Sequence, residues 1–127
     1  MEVMTGRELG RHIIAEFIGC PPSVLDDIEV LKEELVKAAE IAGATVLGDA
    51  FHKFKPYGVT GVVIVGESHL SIHTWPEYGY AALDIFTCGN HVDPWKAYEV
   101  LKEVLKPKYV SVMELRRGVD VGIRNRQ

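Results

Sequence analysis

Short runs in which hydrophobic and polar residues alternate recur along the chain and predict β-strands, with two longer segments at helical spacing between them. The first run covers residues 11–18, where aromatic and β-branched side chains are frequent, and it ends at the turn-forming residues 19–22. The remaining runs predict five further strands, over residues 44–51, 59–65, 70–74, 80–87 and 109–115. The pattern therefore predicts a chain rich in β-structure.

The first helical segment begins directly after residues 19–22. Ser23, with Asp26 three positions later, forms the pattern of a capping box, in which side chains cap the backbone N–H groups of the first turn. Gly43 is a typical residue for the end of such a helix. Between these points the apolar residues recur three or four positions apart, at Ile28, Leu31, Leu35, Ala38 or Ala39, and Ala42. We expect this apolar stripe to pack into the core.

The second helical segment begins at Asp93, a typical N-cap residue, and Pro94, which is favoured in the first turn. It ends before Pro107. The predicted order is strand, helix, four strands, helix, strand, which is typical of an antiparallel sheet with both helices on one face. The sequence thus predicts an α+β fold, a two-layer α/β sandwich.

The second face of such a sheet has no helix to cover it, yet the predicted strands are apolar on both sides. A large exposed apolar surface typically marks an interaction site. The pattern therefore predicts a homodimer in which two sheets pack face to face to form a four-layer sandwich.

Composition narrows the class of protein. The 127 residues fit one domain, 1–127, and the formal net charge of -4 disfavours nucleic acid as a partner. No stretch is long enough to span a bilayer, and residues 1–15 lack the apolar run of a signal peptide. Cys20 and Cys88 are too few for a disulfide framework, so we expect reduced thiols and a cytoplasmic protein.

Residues 66–77 concentrate hydroxyl, imidazole and carboxylate side chains where a purely structural strand needs none. A serine hydroxyl can attack the carbonyl before it, and an adjacent base can then eliminate the resulting ester. Such cleavage between Glu67 and Ser68 would give chains 1–67 and 68–127 and convert Ser68 into a pyruvoyl ketone. A ketone of this kind can form a Schiff base with an amino-acid amine and accept electrons from its α-carbon, which favours decarboxylation.

The same segment lies in a longer stretch that resembles the signature of the short prokaryotic S-adenosylmethionine decarboxylases, GESHLSIHTWPEYGYAALDIFTCG at residues 66–89. The resemblance extends through LGRHIIAEFIGC, FHKFKPYGVTGVVIV and VDPWKAYEVLK and fades only at the two termini. It covers nearly the whole chain and is highly specific.

The resemblance implies a role for each of four residues. Ser68 becomes the pyruvoyl precursor, His73 assists the elimination, and Cys88 returns a proton to the substrate α-carbon after carbon dioxide leaves. An imidazole titrates near neutrality and a thiol can protonate a carbanion, so both suit these roles. Thr60 stands where family members often have serine, and its hydroxyl can make the same hydrogen bond to polarise the scissile carbonyl.

The resemblance also implies the substrate and the assembly. Phe54 matches the aromatic residue that stacks on adenine, and Glu77 matches the acidic residue that holds the ribose hydroxyls. S-adenosylmethionine is then the substrate, and its decarboxylated form is the aminopropyl donor for spermidine. The family's short members carry no metal site, and two protomers pair so that adenine-binding and catalytic groups meet at the interface.

One geometric difficulty remains at the site. Ser68 and His73 are five positions apart, so regular alternation puts their side chains on opposite faces of a strand. A bulge or tight turn at the scissile bond, made easier by Gly66, would resolve this. We therefore expect irregular backbone there.

Other readings of the same residues are open. His69 and His73, with Cys88 or His91, could form a metal-binding module instead of an active site. The chain could also be an inert oligomerisation domain, in which none of these side chains has a chemical role. Within the enzyme class, the same pyruvoyl chemistry could act on arginine or ornithine.

Overall fold

The computed structural model describes residues 8–66 and 68–124, the last two without their side chains. Its strands are β1 Gly10–Ile18, β2 Val46–Lys53, β3 Val59–Val65, β4 Ser68–Trp75, β5 Tyr80–Cys88 and β6 Tyr109–Arg117. Its α-helices are α1 Pro22–Leu25, α2 Ile28–Ile41, α3 Pro94–Leu105 and α4 Val121–Arg124, and a 3-10 turn covers Pro76–Tyr78.

The strands form one six-stranded sheet in the order β2-β3-β4-β5-β1-β6, and every neighbouring pair is antiparallel. α2 packs on β2, β3 and β4, and α3 packs on β1 and β5. The two helices contact each other and share one face of the sheet. The predicted α+β fold, a two-layer sandwich with both helices on one face, is confirmed.

Alternation along the strands separates this helix-covered face from an open face. In β4, for example, Leu70, Ile72 and Thr74 are buried, whereas His73 and Trp75 between and after them are exposed. The buried residues join those of the two helices in a single hydrophobic core. Burial of this apolar surface is the main favourable contribution to folding.

The start of the first long helix differs from the prediction. α2 begins after Asp27, whose side chain accepts a hydrogen bond from the backbone N–H of Val30 at 3.2 Å. Ser23 lies in the separate short helix α1, which has no side-chain cap. The carboxylate of Asp26 is used elsewhere, because it accepts the backbone N–H of Gly58 at 2.8 Å. The predicted capping box is therefore wrong.

The second long helix agrees with its prediction. Asp93 accepts a hydrogen bond from the backbone N–H of Trp95 at 3.0 Å, and Pro94 occupies the first turn. The helix ends at Leu105, two residues before Pro107. A cap whose oxygen satisfies an otherwise unpaired N–H explains why the sequence signal was reliable here.

The connection between β3 and β4 is tighter than the strand prediction suggested. Val65 pairs with Ser68, so only two residues lie between the paired strands, and Gly66 is in the turn. β4 begins two residues earlier than predicted. The irregular backbone expected at the scissile bond concerns Glu67, which lies outside the described residues. Ser68 already pairs regularly in β4, and it stays on the face opposite to that of His73.

The open face is partly apolar, as the sequence predicted. Ile64, Trp75, Met113 and Leu115 project from it and are each at least 40% exposed. Polar side chains lie among them, so the surface is mixed rather than uniformly hydrophobic. Across the described ranges, no helix combines the length and apolar character needed to cross a membrane.

Candidate active site

Thr60 and His73 form a hydrogen-bonded pair on the open face. They are direct register partners in β3 and β4, and the Thr60 Oγ1 and His73 Nδ1 atoms are 3.1 Å apart. The histidine ring is exposed, whereas the threonine is partly covered. A hydroxyl in contact with one ring nitrogen fixes the orientation of the imidazole and leaves Nε2 available to a reacting group.

Phe54 lies at the same end of the sheet, just beyond β2. Its side chain is 45% exposed, and its ring centroid is 4.6 Å from that of His52 in an edge-on arrangement. His52 pairs with Thr60 in the register of β2 and β3. The rings of Phe54, His52 and His73 and the hydroxyl of Thr60 therefore form a row across three neighbouring strands.

Glu77 is also at this end, in the 3-10 turn that follows β4. Its side chain is exposed and lines a shallow groove with Tyr57, Pro76 and Asp26. Asp26 in this groove accepts hydrogen bonds from the backbone N–H of Gly58 and from the Lys53 ammonium, and these bonds hold the pKa of its carboxyl below the usual value. We call Phe54, Thr60, His73 and Glu77 the His73 end of the sheet.

Ser68 and Cys88 lie at the opposite end of the sheet, on neighbouring strands. Ser68 is the first residue of β4 and Cys88 is the last residue of β5. The recorded pairing of these strands ends at His69 and Phe86, so its continuation sets Ser68 opposite Thr87. Cys88 follows Thr87 in the chain, and alternation directs its side chain to the open face. Both site residues are partly covered. We call Ser68 and Cys88 the Ser68 end.

The two ends are far apart within one chain. His73 comes five positions after Ser68 along β4, and a rise of about 3.3 Å per residue puts them about 16 Å apart. Alternation also directs Ser68 to the helix-covered face, with Leu70 and Ile72, and His73 to the open face. The predicted site residues therefore form two groups rather than one.

A polar network at the centre of the open face received no role in the sequence predictions. His12 Nε2 lies 2.9 Å from Asp84 Oδ1, and Ser71 donates to Asp84 Oδ2 at 3.3 Å. Arg117 approaches the other ring nitrogen of His12 at 3.2 Å. His12, Ser71 and Asp84 alternate with buried residues along their strands, and that parity was the available sequence signal.

Burial separates the two cysteines. Cys20 is 3% exposed, and this burial raises the pKa of its thiol to about 11. A thiol that keeps its proton in an apolar setting behaves as a small core side chain. Cys20 is therefore a structural residue, and of the two cysteines Cys88 is the one that lies at the Ser68 end.

The metal-binding alternative is not favoured by the geometry. His69 and His73 share a face of β4, but they are four positions apart, and a rise of about 3.3 Å per residue separates them by about 13 Å, which is too far for two ligands of one ion. Within residues 8–66 and 68–124, no three His, Cys, Asp or Glu side chains are grouped so that they could hold a metal ion.

Known proteins that are similar to this chain share one family. The family described as S-adenosylmethionine decarboxylase matches residues 11–118. The S-adenosylmethionine decarboxylase proenzyme of Thermotoga maritima is 57% identical over 112 residues, which cover 88% of this chain and 86% of that protein. The proenzyme of the same name from Thermosipho africanus is 58% identical over the same shares.

A solved structure agrees with these sequence matches. The crystal structure of the adenosylmethionine decarboxylase from Aquifex aeolicus superposes with a TM-score of 0.84 and is 36% identical. The match covers 89% of this chain and 93% of that one. The predicted resemblance and the prediction of an enzyme are confirmed, and the chain belongs to the S-adenosylmethionine decarboxylase family.

Proposed function

We propose that this chain is a self-processing, pyruvoyl-dependent decarboxylase that converts S-adenosylmethionine to its decarboxylated form and carbon dioxide. The product is the aminopropyl donor for spermidine, which gives the enzyme a place in polyamine synthesis. The observation that carries the proposal is the hydrogen-bonded Thr60–His73 pair on the open face of a chain with this family's fold. Cleavage falls between Glu67 and Ser68.

The residues at the Ser68 end fit a pyruvoyl group made from Ser68. The serine begins a strand directly after a two-residue connection, where a chain break leaves the sheet pairing of β4 intact. When formed, the group supplies a ketone that binds the substrate amine and accepts electrons from its α-carbon. Cys88 ends the neighbouring strand and carries a thiol that can return a proton to that carbon.

Thr60 and His73 have complementary roles in self-cleavage. If His73 Nδ1–H donates to Thr60 Oγ1, the threonine hydroxyl is free to donate to the carbonyl oxygen of the scissile bond. His73 Nε2 is then unprotonated and can remove the α-proton of Ser68 during elimination. Threonine in place of the more usual serine keeps this hydroxyl.

The opposite faces of Ser68 and His73 are compatible with this elimination. The α-proton of a strand residue lies near the plane of the sheet and points toward the neighbouring strand. A base on the open face can therefore reach this proton without passing the Ser68 side chain, which alternation directs to the helix-covered face.

A second copy of the chain brings the two ends together. The separation of about 16 Å along β4 prevents His73 from reaching Ser68 of the same sheet. A two-fold axis between two open faces, perpendicular to the strands, places the Ser68 end of one sheet over the His73 end of the other. Each site then combines Ser68 and Cys88 with Thr60 and His73 of the partner subunit.

The open face supports this dimer. Its exposed apolar residues, including Ile64, Met113 and Leu115, become buried when two sheets pack face to face. Phe54 and Glu77 belong to the His73 end, so the same arrangement brings a ring for adenine and a carboxylate for the ribose hydroxyls to the partner's Ser68. We therefore propose a homodimer with two composite sites.

Intact mass spectrometry of freshly purified protein, before and after incubation, tests self-cleavage without assuming a substrate. We expect fragments 1–67 and 68–127, with the downstream fragment beginning in a pyruvoyl group. Ser68→Ala should remain uncut under the same conditions. A wild-type chain that stays at full-length mass would contradict the proposal.

Co-expression of two inactive variants tests the composite site. Alone, Ser68→Ala should remain uncut, and His73→Ala should be cut about 10²-fold more slowly than the wild-type chain. In mixed dimers, His73 of the Ser68→Ala chain should support cleavage of the His73→Ala chain. If pairing is random, up to about half of the His73→Ala molecules should be cut. A mass tag on one chain identifies which is cut. If sedimentation shows that mixed dimers form and the His73→Ala chain is still cut no faster than it is alone, the proposal of a site shared between two subunits is wrong.

Substrate assays separate the remaining alternatives. Carbon dioxide release from S-adenosylmethionine, arginine and ornithine should favour the nucleoside, because Phe54 and Glu77 offer a ring face and a diol acceptor. Preference for either free amino acid would overturn the substrate assignment while leaving the pyruvoyl chemistry in place.

A further inference from the structure

Thr87 is a deeply buried threonine whose hydroxyl has no hydrogen-bond partner in the part of the chain that the structure describes. Its side chain is 2% exposed. Buried hydroxyls in native proteins are usually bonded, because desolvation without a partner costs free energy. The other buried threonine, Thr74, accepts the N–H of Val59 at 2.9 Å and donates to the carbonyl of Leu25 at 2.7 Å.

The sheet register places Thr87 beside the proposed cleavage site. The pairing of β4 with β5 runs to His69 and Phe86, and its next position sets Ser68 opposite Thr87. Directly opposite residues in antiparallel strands have Cβ atoms about 4.5–5.5 Å apart. Alternation puts both side chains on the helix-covered face. The unpartnered hydroxyl therefore neighbours the hydroxyl that must react.

We propose that Thr87 is a positioning residue for self-cleavage. Rotation of the Ser68 side chain brings its hydroxyl to Thr87 Oγ1, which then accepts a hydrogen bond from it and holds the Ser68 oxygen for attack on the carbonyl carbon before it. In the acyl shift that follows, a bond forms between Ser68 Oγ and that carbon. The peptide C–N bond breaks, and the hydroxyl proton passes to the nitrogen of Ser68. Thr87 is unchanged by the step.

A water molecule offers a competing explanation. Thr87 also lines a small cavity with Gly10, Arg11 and Gly89, on the side of β5 that faces β1. A water there could bond the hydroxyl and make Thr87 a purely structural residue. The two explanations differ in what removal of the hydroxyl does to stability and to the cleavage rate.

Two substitutions at this position make the test. Thr87→Val keeps the shape and removes the hydroxyl, whereas Thr87→Ser keeps the hydroxyl. We expect Thr87→Val to slow cleavage roughly tenfold and Thr87→Ser to stay near the wild-type rate, measured by intact mass against time. In an uncleavable Ser68→Ala background, Thr87→Val should unfold at the same or a higher urea concentration than its parent.

Thr74→Val is the matched control, because it removes a hydroxyl that is fully bonded. It should lower the urea midpoint. A lower midpoint for Thr87→Val as well, or cleavage at the wild-type rate, would overturn the role of Thr87. The inference rests on the proposed self-cleavage, but the two can fail separately. A wild-type chain that stays uncut refutes the proposed function. A wild-type chain that is cut, with Thr87→Val cut equally fast, refutes only the role of Thr87.

Discussion

The two faces of the sheet are made from the same strands but carry different kinds of residue. On the helix-covered face, β4 presents Leu70 and Ile72, which are buried in the core. On the open face it presents Ser71 and His73, which join polar contacts. Because alternation assigns successive residues to opposite faces, the core and the site can be altered separately. Substitutions on one face should therefore change stability, and those on the other should change chemistry.

The largest expected effect on stability is on the covered face, at Ile72. This side chain is 0% exposed, and Ile72→Ala removes buried methylene groups and leaves a cavity. We expect a loss of about 2–5 kcal/mol in the free energy of unfolding. Urea denaturation in the Ser68→Ala background measures it without interference from cleavage. A loss below about 1 kcal/mol would mean that the two faces are less distinct than burial indicates.

The next residue, His73, should show the opposite behaviour. His73→Ala removes the proposed base and the partner of Thr60, so self-cleavage should slow by about 10²-fold or more. The exposed ring contributes little to packing, so the free energy of unfolding should change by no more than about 0.5 kcal/mol. Intact mass and urea denaturation measure the two quantities. Rapid cleavage of this variant would exclude His73 as the base.

Alternation made much of this two-faced arrangement predictable from the sequence. The bounds of β3 and the N-cap of α3 matched the structure, since both rest on strong local signals. The prediction failed at the capping box of Ser23, because tertiary contacts decide where Asp26 points. A local pattern cannot reveal that a carboxylate will bond Gly58, a residue far along the chain.

The pairing of Thr60 with His73 was missed for a related reason. In a hairpin the loop length fixes the register, and Val65 pairs with Ser68 across two residues. The predicted β4 began two residues late, which implied a longer loop and no definite partner for Thr60. The sequence already placed Ser68 and His73 on opposite faces, because they are an odd number of positions apart. The distance between them could be derived only once the structure showed that β4 is continuous from Ser68 to His73.

Phe51 and Phe54 extend the comparison to β2. Phe54→Ala should raise KM for S-adenosylmethionine roughly tenfold with kcat nearly unchanged, because the ring proposed to hold adenine is lost. Phe51 lies on the covered side, where its ring fills the space above Gly61. Phe51→Ala should lower stability instead and leave the KM of the folded enzyme unchanged. If KM rose for Phe51→Ala and did not rise for Phe54→Ala, the assignment of these two residues to the two faces would have to be reversed.

The smallest expected effect concerns Glu114 in the edge strand β6. Hydrogen bonds from the Arg11 guanidinium, with a further one from Trp95, lower the pKa of the Glu114 carboxyl. A lowered pKa in the folded state stabilises the protein above the unfolded pKa, and that contribution is lost as the pH falls through the folded value. The pair is partly exposed, so solvent screening limits its contribution to about 1 kcal/mol or less.

Glu114→Gln tests this contribution because it removes the charge and keeps the shape. The free energies of unfolding of this variant and the wild-type chain should differ most near neutral pH. The difference should shrink as the pH falls below the usual carboxyl range, since the wild-type carboxylate then becomes protonated. Cleavage at neutral pH should be the same in both, because Glu114 contacts neither end of the site. A pH-independent difference would assign its effect to packing against Trp95 rather than to charge.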